Sequence, residues 1–303
     1  MNSVLVLYGG ISDEREVSMQ SGQAVINALR TCGYDVASYD PATGMDGLQK
    51  AIKSADVVFP ALHGKGGEDG EIQELLEKLG KPFVGPGSQA SKLCFDKWEY
   101  KQHLLAHNYP CPKGALVDKS QIWEHELTKQ AFVLKPATGG SSIDTFIVRD
   151  PSTIDKEAIE KTLDRYGHML LEELISGTET TVAVLGDKAL PMIEIVPPSN
   201  QEFDYENKYN GKTQELCPPL HISADLQKQA QELAVSVHRS TGCVGMSRTD
   251  IIITPSGHLY ILETNTIPGL TDQSLLPKAA LAAGIDMPKL VKMLVEDAIK
   301  RAA

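Results

Sequence analysis

Several features that would place the chain in a familiar class are missing from its 303 residues. No run of about 18 apolar residues occurs, so the sequence predicts no membrane span. The opening "MNSVLVLYGG" lacks a basic start and runs into a turn, which predicts a strand and not a signal peptide. Asp and Glu outnumber Lys and Arg by 40 to 29, a net charge of −11. This balance argues against a general nucleic-acid binder, although a local cluster of cations can still bind a phosphate.

Cysteine is sparse and follows no pairing pattern. The five cysteines are scattered, and none forms a CxxC pair. An odd number without recurring spacing is typical of free thiols in a reducing compartment. The sequence therefore predicts a cytoplasmic protein without structural disulfides.

Two common nucleotide-binding motifs are also absent. "YGGIS" follows a strand but does not complete GxGxxG, which disfavours a nicotinamide-dependent dehydrogenase. "NGKT" has the end of a P-loop, but Glu206 stands where that motif needs its first glycine. Neither a Rossmann nor a P-loop site is predicted.

The patterns that are present change along the chain. The first third alternates apolar strands with amphipathic helices, which predicts a parallel α/β sheet. "PFVGPGSQAS" reads as a boundary and "KLCFDKWEYKQHLLAHN" as one helix. "AFVLKPATGGSSIDTFIVRD" predicts a hairpin, later strands continue an antiparallel sheet, and residues 197–219 form a long polar loop.

Oxygen-bearing side chains end an apolar strand near the C-terminus, in "HLYILETNTIPG". Glu263 and Asn265 are two residues apart and so project from one face of the strand. The preceding "SRTDIII" is its predicted hairpin partner, which can bring Asp250 opposite them. Two carboxylates and an amide oxygen are suited to Mg²⁺, which also favours phosphate oxygens. A solvated strand end with scattered acids is the simpler alternative.

Cations that could meet a phosphate lie earlier in the chain. Lys135 ends the apolar strand "FVLKP" directly before the Gly/Ser-rich "ATGGSS". A lysine and a loop of free backbone N–H groups can together hold a triphosphate. Lys97 is a second candidate, although a single helical lysine is more often solvent-facing.

Six segments in order resemble the bacterial D-alanine–D-alanine ligases of the ATP-grasp family. They are "GGISDEREVSMQSG", "ALHGKGGEDG", "KPATGGSS", "NKY", "RTD" and "ETNTIPGLTDQSLLP". Together they span nearly the whole chain.

The resemblance implies a three-domain α/β and α+β fold. An N-terminal parallel α/β substrate domain would cover residues 1–88. A small central α+β subdomain would cover 89–178, and an antiparallel-sheet catalytic domain 179–303. It further implies a homodimer, whereas the expectation that the protein binds neither nucleic acid nor membrane rests on its charge balance and its lack of a long apolar run.

The implied reaction joins two D-alanines with ATP through an acyl phosphate, for peptidoglycan precursors. Two Mg²⁺ ions, with Mn²⁺ as a substitute, would be held by Asp250, Glu263 and Asn265. The implied ATP-binding residues are Lys97 and Lys135 near the α- and β-phosphates, Lys208 near the γ-phosphate, Glu172, Glu173 and Ile175 around adenine, and Glu179 at the ribose.

The resemblance also assigns residues to the amino-acid substrates. Arg248 and the backbone N–H of Gly269 would stabilise the tetrahedral intermediate. Substrate contacts are implied for Glu14, His63 and Glu68 at the first D-alanine and for Ser274 and Leu275 at the second. Glu14 alone would otherwise be interpreted as a first-turn acid beside a helix dipole.

Tyr209 is implied to join Ser141 and Glu14 in a hydrogen-bonded set that closes the polar loop. The similar ligases that make D-alanyl-D-lactate lack this tyrosine, so an amine is the expected second substrate. A related ligase that accepts D-serine is the alternative. Asp144 departs from the pattern, since a glycine is expected there and an acid near a triphosphate is unfavourable unless it points away.

Overall fold

The structure is a computed structural model that describes residues 2–198 and 213–302. The helices of this part are α1 (Arg15–Thr31), α2 (Met45–Ser54), α3 (Glu71–Lys78), α4 (Ser88–Phe95), α5 (Lys97–Ala106), α6 (Lys156–Tyr166), α7 (Ala224–Ser240), α8 (Leu275–Ala282) and α9 (Met287–Ala302). Its strands are β1 (Ser3–Leu7), β2 (Asp35–Tyr39), β3 (Val57–Pro60), β4 (Gly114–Val117), β5 (Phe132–Pro136), β6 (Phe146–Val148), β7 (Met169–Glu173), β8 (Thr178–Leu185), β9 (Lys188–Ala189), β10 (Ile193–Val196), β11 (Gln214–Leu216), β12 (Met246–Ile253) and β13 (Leu259–Asn265). None of these helices is both long and apolar enough to cross a bilayer.

The first sheet is parallel, with the order β2-β1-β3, as the alternation of strands and helices predicts. Its central strand β1 is almost entirely buried. The C-terminal helix α9 packs against α1, so the last residues of the described chain belong to the same apolar core as the first strand.

The single helix predicted after the first boundary is wrong, because the chain breaks it at Asp96. This residue has an extended backbone, with φ −86° and ψ 104°, and its side chain accepts from the N–H groups of Trp98 and Glu99. An aspartate that caps a helix in this way favours a new start over continuation. As a result, Lys97 opens α5, and its backbone N–H donates to Ala137 O at 2.7 Å.

The second sheet is antiparallel, with the order β4-β7-β5-β6. The predicted hairpin of β5 and β6 is confirmed by its register, with Leu134 opposite Phe146. The Gly/Ser-rich segment connects these two strands. Lys135 lies near the end of β5, where it pairs in register with Leu170 of β7.

The third sheet is antiparallel and contains six strands, in the order β11-β10-β8-β12-β13 with β9 beside β8. The predicted hairpin of β12 and β13 is confirmed, and Asp250 lies opposite Glu263, with Arg248 opposite Asn265. The register shifts after Asp250, at an irregularity in the ladder.

The described part thus combines one parallel and two antiparallel sheets, which confirms the predicted fold class. Apolar side chains of α4 and α5, including Tyr100 and Leu104, pack into the core of the third sheet. The second sheet has a separate core around Phe132 and Leu134. The boundaries at 88/89 and 178/179 stay predictions.

Candidate active site

Two adjoining cavities lie where the three sheets meet. The first, of about 950 Å³, is lined by residues of the second and third sheets. The second, of about 630 Å³, is lined by the loops that follow β1 and β3 and by the start of α8. Both cavities are lined by Glu14, Lys97, Gly139, Gly140 and Glu263.

The described candidate residues divide between these cavities according to their predicted ligands. The first is lined by the nucleotide set Lys97, Lys135, Glu172, Glu173, Ile175 and Glu179. The second is lined by the substrate and intermediate set Glu14, His63, Glu68, Ser141, Arg248, Gly269, Ser274 and Leu275. Of the metal set, Asp250 lines the first, Asn265 the second and Glu263 both. Lys208 and Tyr209 lie outside the described residues.

Glu172 lies deep in the first cavity, held by two lysines. Lys135 Nζ lies 2.7 Å from one carboxylate oxygen, and Lys101 Nζ lies 2.7 Å from the other. Burial raises the pKa of this carboxyl, but the two ammonium groups outweigh it and leave the pKa lowered. The reciprocal effect raises the pKa of Lys135 although burial lowers it. Glu172 is therefore an ionised acceptor at neutral pH.

The Gly/Ser loop between the cavities is fixed at both ends. Lys97 Nζ donates to Gly139 O at 2.5 Å, near the start of the loop. At its far end, Asp144 lies 2.8 Å from Arg165 Nη2 and accepts from the Tyr166 hydroxyl at 2.6 Å. Asp144, the acid found where the family pattern has a glycine, is thus bound to the C-terminal end of α6.

The carboxylates of the third sheet are close to a buried cation. Arg248 Nε and Nη2 donate to the two oxygens of Asp250 at 3.0 and 2.9 Å, and Thr181 Oγ1 donates to Asp250 at 2.6 Å. Burial lowers the pKa of Arg248, but Asp250 and then Glu263 raise it, with a net increase. Arg248 therefore stays charged.

The donor chemistry of this cluster fits a divalent ion with hard-oxygen preference. Asn265 Oδ1 is buried and, within the described part of the chain, has no hydrogen-bond partner. An unsatisfied amide oxygen two residues after Glu263 on the same strand is a suitable Mg²⁺ ligand. Asp250 Oδ2 accepts one hydrogen bond and keeps a further lone pair, whereas Oδ1 already accepts two. No group of three His, Cys, Asp or Glu residues suited to a metal occurs in the described residues.

Glu14 lies at the border of the two cavities. Ser141 Oγ donates to Glu14 Oε1. A Cβ at Gly64 would lie 2.7 Å from Glu14 Oε2, the flexible end of that side chain, so it is the φ of +69° that favours glycine there. Burial and then Glu14 raise the pKa of Glu68 to about 8. An ammonium group bound beside these two carboxyls would favour their ionised forms and would itself be stabilised.

His63 is neutral and holds the loop that carries Gly269. Burial lowers its pKa to about 4. Its Nδ1 lies 3.1 Å from Ile267 O, a carbonyl that can only accept, so Nε2 accepts from Ser21 Oγ at 2.9 Å. Ser21 Oγ in turn accepts from Leu270 N–H at 3.2 Å. This arrangement favours a lining and positioning role over that of a general base.

Three features of the site were not predicted from the sequence. Lys101 binds Glu172, Ser21 joins His63 to the Gly269 loop, and Lys278 forms an ion pair with Glu215 in the second cavity at 2.5 Å. The contact of Lys101 with Glu172 could have been anticipated, because Lys101 lies one helical turn after the candidate Lys97 and so on the same helix face. The other two depend on contacts distant in sequence.

Comparisons with known proteins agree with this geometry. The family model for the D-ala D-ala ligase N-terminus matches residues 38–86, and that for the C-terminus matches residues 114–296. D-alanine–D-alanine ligase of Nitratidesulfovibrio vulgaris is 40% identical over 296 residues, covering 97% of each chain. That of Xanthobacter autotrophicus is 41% identical over 301 residues, again with 97% of each chain covered.

Solved structures extend the agreement to the whole fold. The D-alanine–D-alanine ligase from Bacillus anthracis has a TM-score of 0.87 at 32% identity, covering 100% of this chain and 99% of that one. Its complex with ATP has a TM-score of 0.84 at 30% identity, with the same coverage.

The sheets and the lysine- and carboxylate-lined cavities define the ATP-grasp class. Within that class, the chain belongs to the D-alanine–D-alanine ligase family.

Proposed function

We propose that the protein joins two D-alanines into D-alanyl-D-alanine with conversion of ATP to ADP and phosphate, supplying peptidoglycan precursors in the cytoplasm. The observation that carries the proposal is the division of the family's described residues between two cavities that meet at Glu14, Lys97 and Glu263. Nucleotide and amino acid can meet only at such a junction.

The nucleotide would occupy the first cavity. Glu172 would accept from the adenine amino group, and Glu179 would bind the ribose hydroxyls. Lys97 and Lys135, with Lys208 from outside the described residues, would meet the phosphates. Asp250, Glu263 and Asn265 would hold two Mg²⁺ ions, or Mn²⁺, which neutralise phosphate charge when bound.

The first step would take place at the junction. A carboxylate oxygen of the donor D-alanine attacks the γ-phosphorus, and the bond to ADP breaks. Glu14 would hold the donor ammonium, with His63 and Glu68 beside it. Two anions must approach in this step, so the surrounding cations lower its barrier.

The second step would take place in the second cavity. The acceptor amine, placed by Ser274 and Leu275, attacks the acyl carbon and loses a proton. Arg248, which stays charged, and the N–H of Gly269 would stabilise the resulting oxyanion. The C–O bond to phosphate then breaks, which completes the peptide bond.

A phosphate-release assay tests the function. We expect release that requires both ATP and D-alanine, a dipeptide product and no release with L-alanine. D-serine or D-lactate added at equal concentration should not outcompete D-alanine near neutral pH. Release that is independent of D-alanine would contradict the proposal.

Two further parts of the proposal concern assembly and the metal. We propose a homodimer, which sedimentation of the purified protein would test. Dependence of turnover on added Mg²⁺ or Mn²⁺ after chelation would test the ion requirement.

A further inference from the structure

Lys101 lies behind the nucleotide cavity and contacts it only through another residue. It is on α5, one turn after Lys97, but does not line either cavity as Lys97 does. Its side chain is 3% exposed, and that of Glu172 is 5% exposed. A buried ammonium of this kind needs close partners, because an unpaired charge away from water is strongly unfavourable.

The partners of Lys101 fix it in one place. Its Nζ lies 2.7 Å from Glu172 Oε1 and donates to Pro112 O at 2.5 Å. Gly114 makes room for its stem, because a Cβ there would lie 3.1 Å from Lys101 Cε and 2.7 Å from Leu171 O. In register, Gly114 lies opposite Glu172. The lysine, the glycine and the carboxylate are therefore fitted to one another across β4 and β7.

This arrangement leaves Glu172 with a defined orientation. Lys101 holds one carboxylate oxygen from the protein side, and Lys135, which lines the cavity, holds the other. The remaining lone pairs can only accept hydrogen bonds. Adenine presents a donating amino group at its 6-position, whereas guanine presents a carbonyl oxygen there. A fixed, ionised carboxylate would attract the first and repel the second.

We propose that Lys101 is a positioning residue for base selection, holding Glu172 so that its carboxylate accepts from a 6-amino purine and rejects a 6-oxo purine. Base selection by Lys101 rests on the proposed function only in that ATP is the nucleotide used.

The test compares ATP, GTP and purine riboside triphosphate, which has hydrogen at the 6-position, in the wild-type protein and in Lys101→Met. In the variant we expect the KM for ATP to rise about tenfold with kcat within about twofold, as for loss of one charged hydrogen bond. The preference for ATP over both other nucleotides should shrink by about tenfold, and the KM for D-alanine should not change.

Controls separate positioning from general destabilisation. Lys81→Met removes an ammonium that donates to the backbone oxygens of Lys53 and Ala55, away from both cavities, and should leave selectivity unchanged. Glu172→Gln should already lack most of the selectivity, so adding Lys101→Met to it should have little further effect. Lys101→Gln, which keeps a donor, should give an intermediate selectivity and decides the matter if Lys101→Met does not fold.

If Lys101→Met changed the KM equally for all three nucleotides, the proposed role of Lys101 would be wrong. Additive effects of Lys101→Met and Glu172→Gln on selectivity would also contradict it. Wild-type phosphate release that depends on D-alanine distinguishes this failure from failure of the proposed function. If the wild-type protein releases none with any nucleotide, the proposed function itself is wrong. Calorimetric binding of ATP, GTP and purine riboside triphosphate, measured without D-alanine in the wild-type protein and in Lys101→Met, then still reports whether Lys101 affects base selection.

Discussion

Glu263 lines both cavities and lies opposite Asp250 across the β12–β13 pair. A carboxylate in this position can act on the nucleotide and the donor at the same time. Its neighbour Asn265 has a buried side-chain oxygen that lacks a hydrogen-bond partner among the described residues, which agrees with its proposed role as a metal ligand. The acids at this strand end are therefore interpreted as functional and not as solvated surface.

Replacement of this carboxylate tests that interpretation. We expect Glu263→Gln to lower turnover by about 10²- to 10³-fold, because an isosteric amide removes the charge that would bind the ions. The urea midpoint should hardly change. Glu232→Gln, in an exposed pair on α7, is a matched control. Phosphate release at wild-type rates would remove Glu263 from the mechanism.

At the scale of elements, the Gly/Ser loop is held by its two ends. Lys97 binds its start, and Asp144 binds Arg165 and Tyr166 beyond its end. Asp144 has φ +56°, in the left-handed region that asparagine tolerates better than most residues. The unexpected acid therefore has a local explanation as an anchor.

The direction in which a substitution at Asp144 changes the KM for ATP shows whether this residue anchors the loop or faces the phosphates. We expect Asp144→Asn to raise the KM for ATP by about threefold, the scale of one partly exposed ion pair, with kcat unchanged. Arg165→Met should have the same effect. A lower KM in Asp144→Asn would show instead that the carboxylate repels the triphosphate.

Prediction from sequence succeeded where chemistry and local pattern coincided. The β12–β13 register followed from alternation and a turn, so Asp250 and Glu263 could be placed opposite each other in advance. The break at Asp96 was missed because the apolar positions on both sides continue a helical pattern, whereas the capping aspartate decides the geometry. Lys101 and Ser21 were missed because their partners, Glu172 and Leu270, are distant in sequence.

At the scale of the whole molecule, buried histidines connect the site to stability. His63 lies between the first sheet and the Gly269 loop, and His238 binds Ser247 beside Arg248 at 2.7 Å. Burial lowers the pKa of each to about 4. Because the unfolded chain binds protons near pH 6.5 and the folded one does not, their contribution is complete above that value and is lost as the pH falls toward 4.

We therefore expect the free energy of unfolding to fall between pH 6.5 and 4.5, by at most about 1.4 kcal/mol per pH unit for each histidine. Replacement of both by asparagine should flatten this slope, as measured by urea denaturation across the range. His258→Asn, at an exposed turn, should not. An unchanged slope in the double variant would mean that other groups control acid stability.

In the proposed reaction, the donor carboxylate attacks the terminal phosphate of ATP at the junction of the cavities. The most direct measurement uses D-alanine with both carboxylate oxygens labelled with ¹⁸O and mass analysis of the released phosphate. Since one carboxylate oxygen leaves with the phosphoryl group, we expect one ¹⁸O in each phosphate and none in ADP. Unlabelled phosphate, or label in AMP, would contradict it.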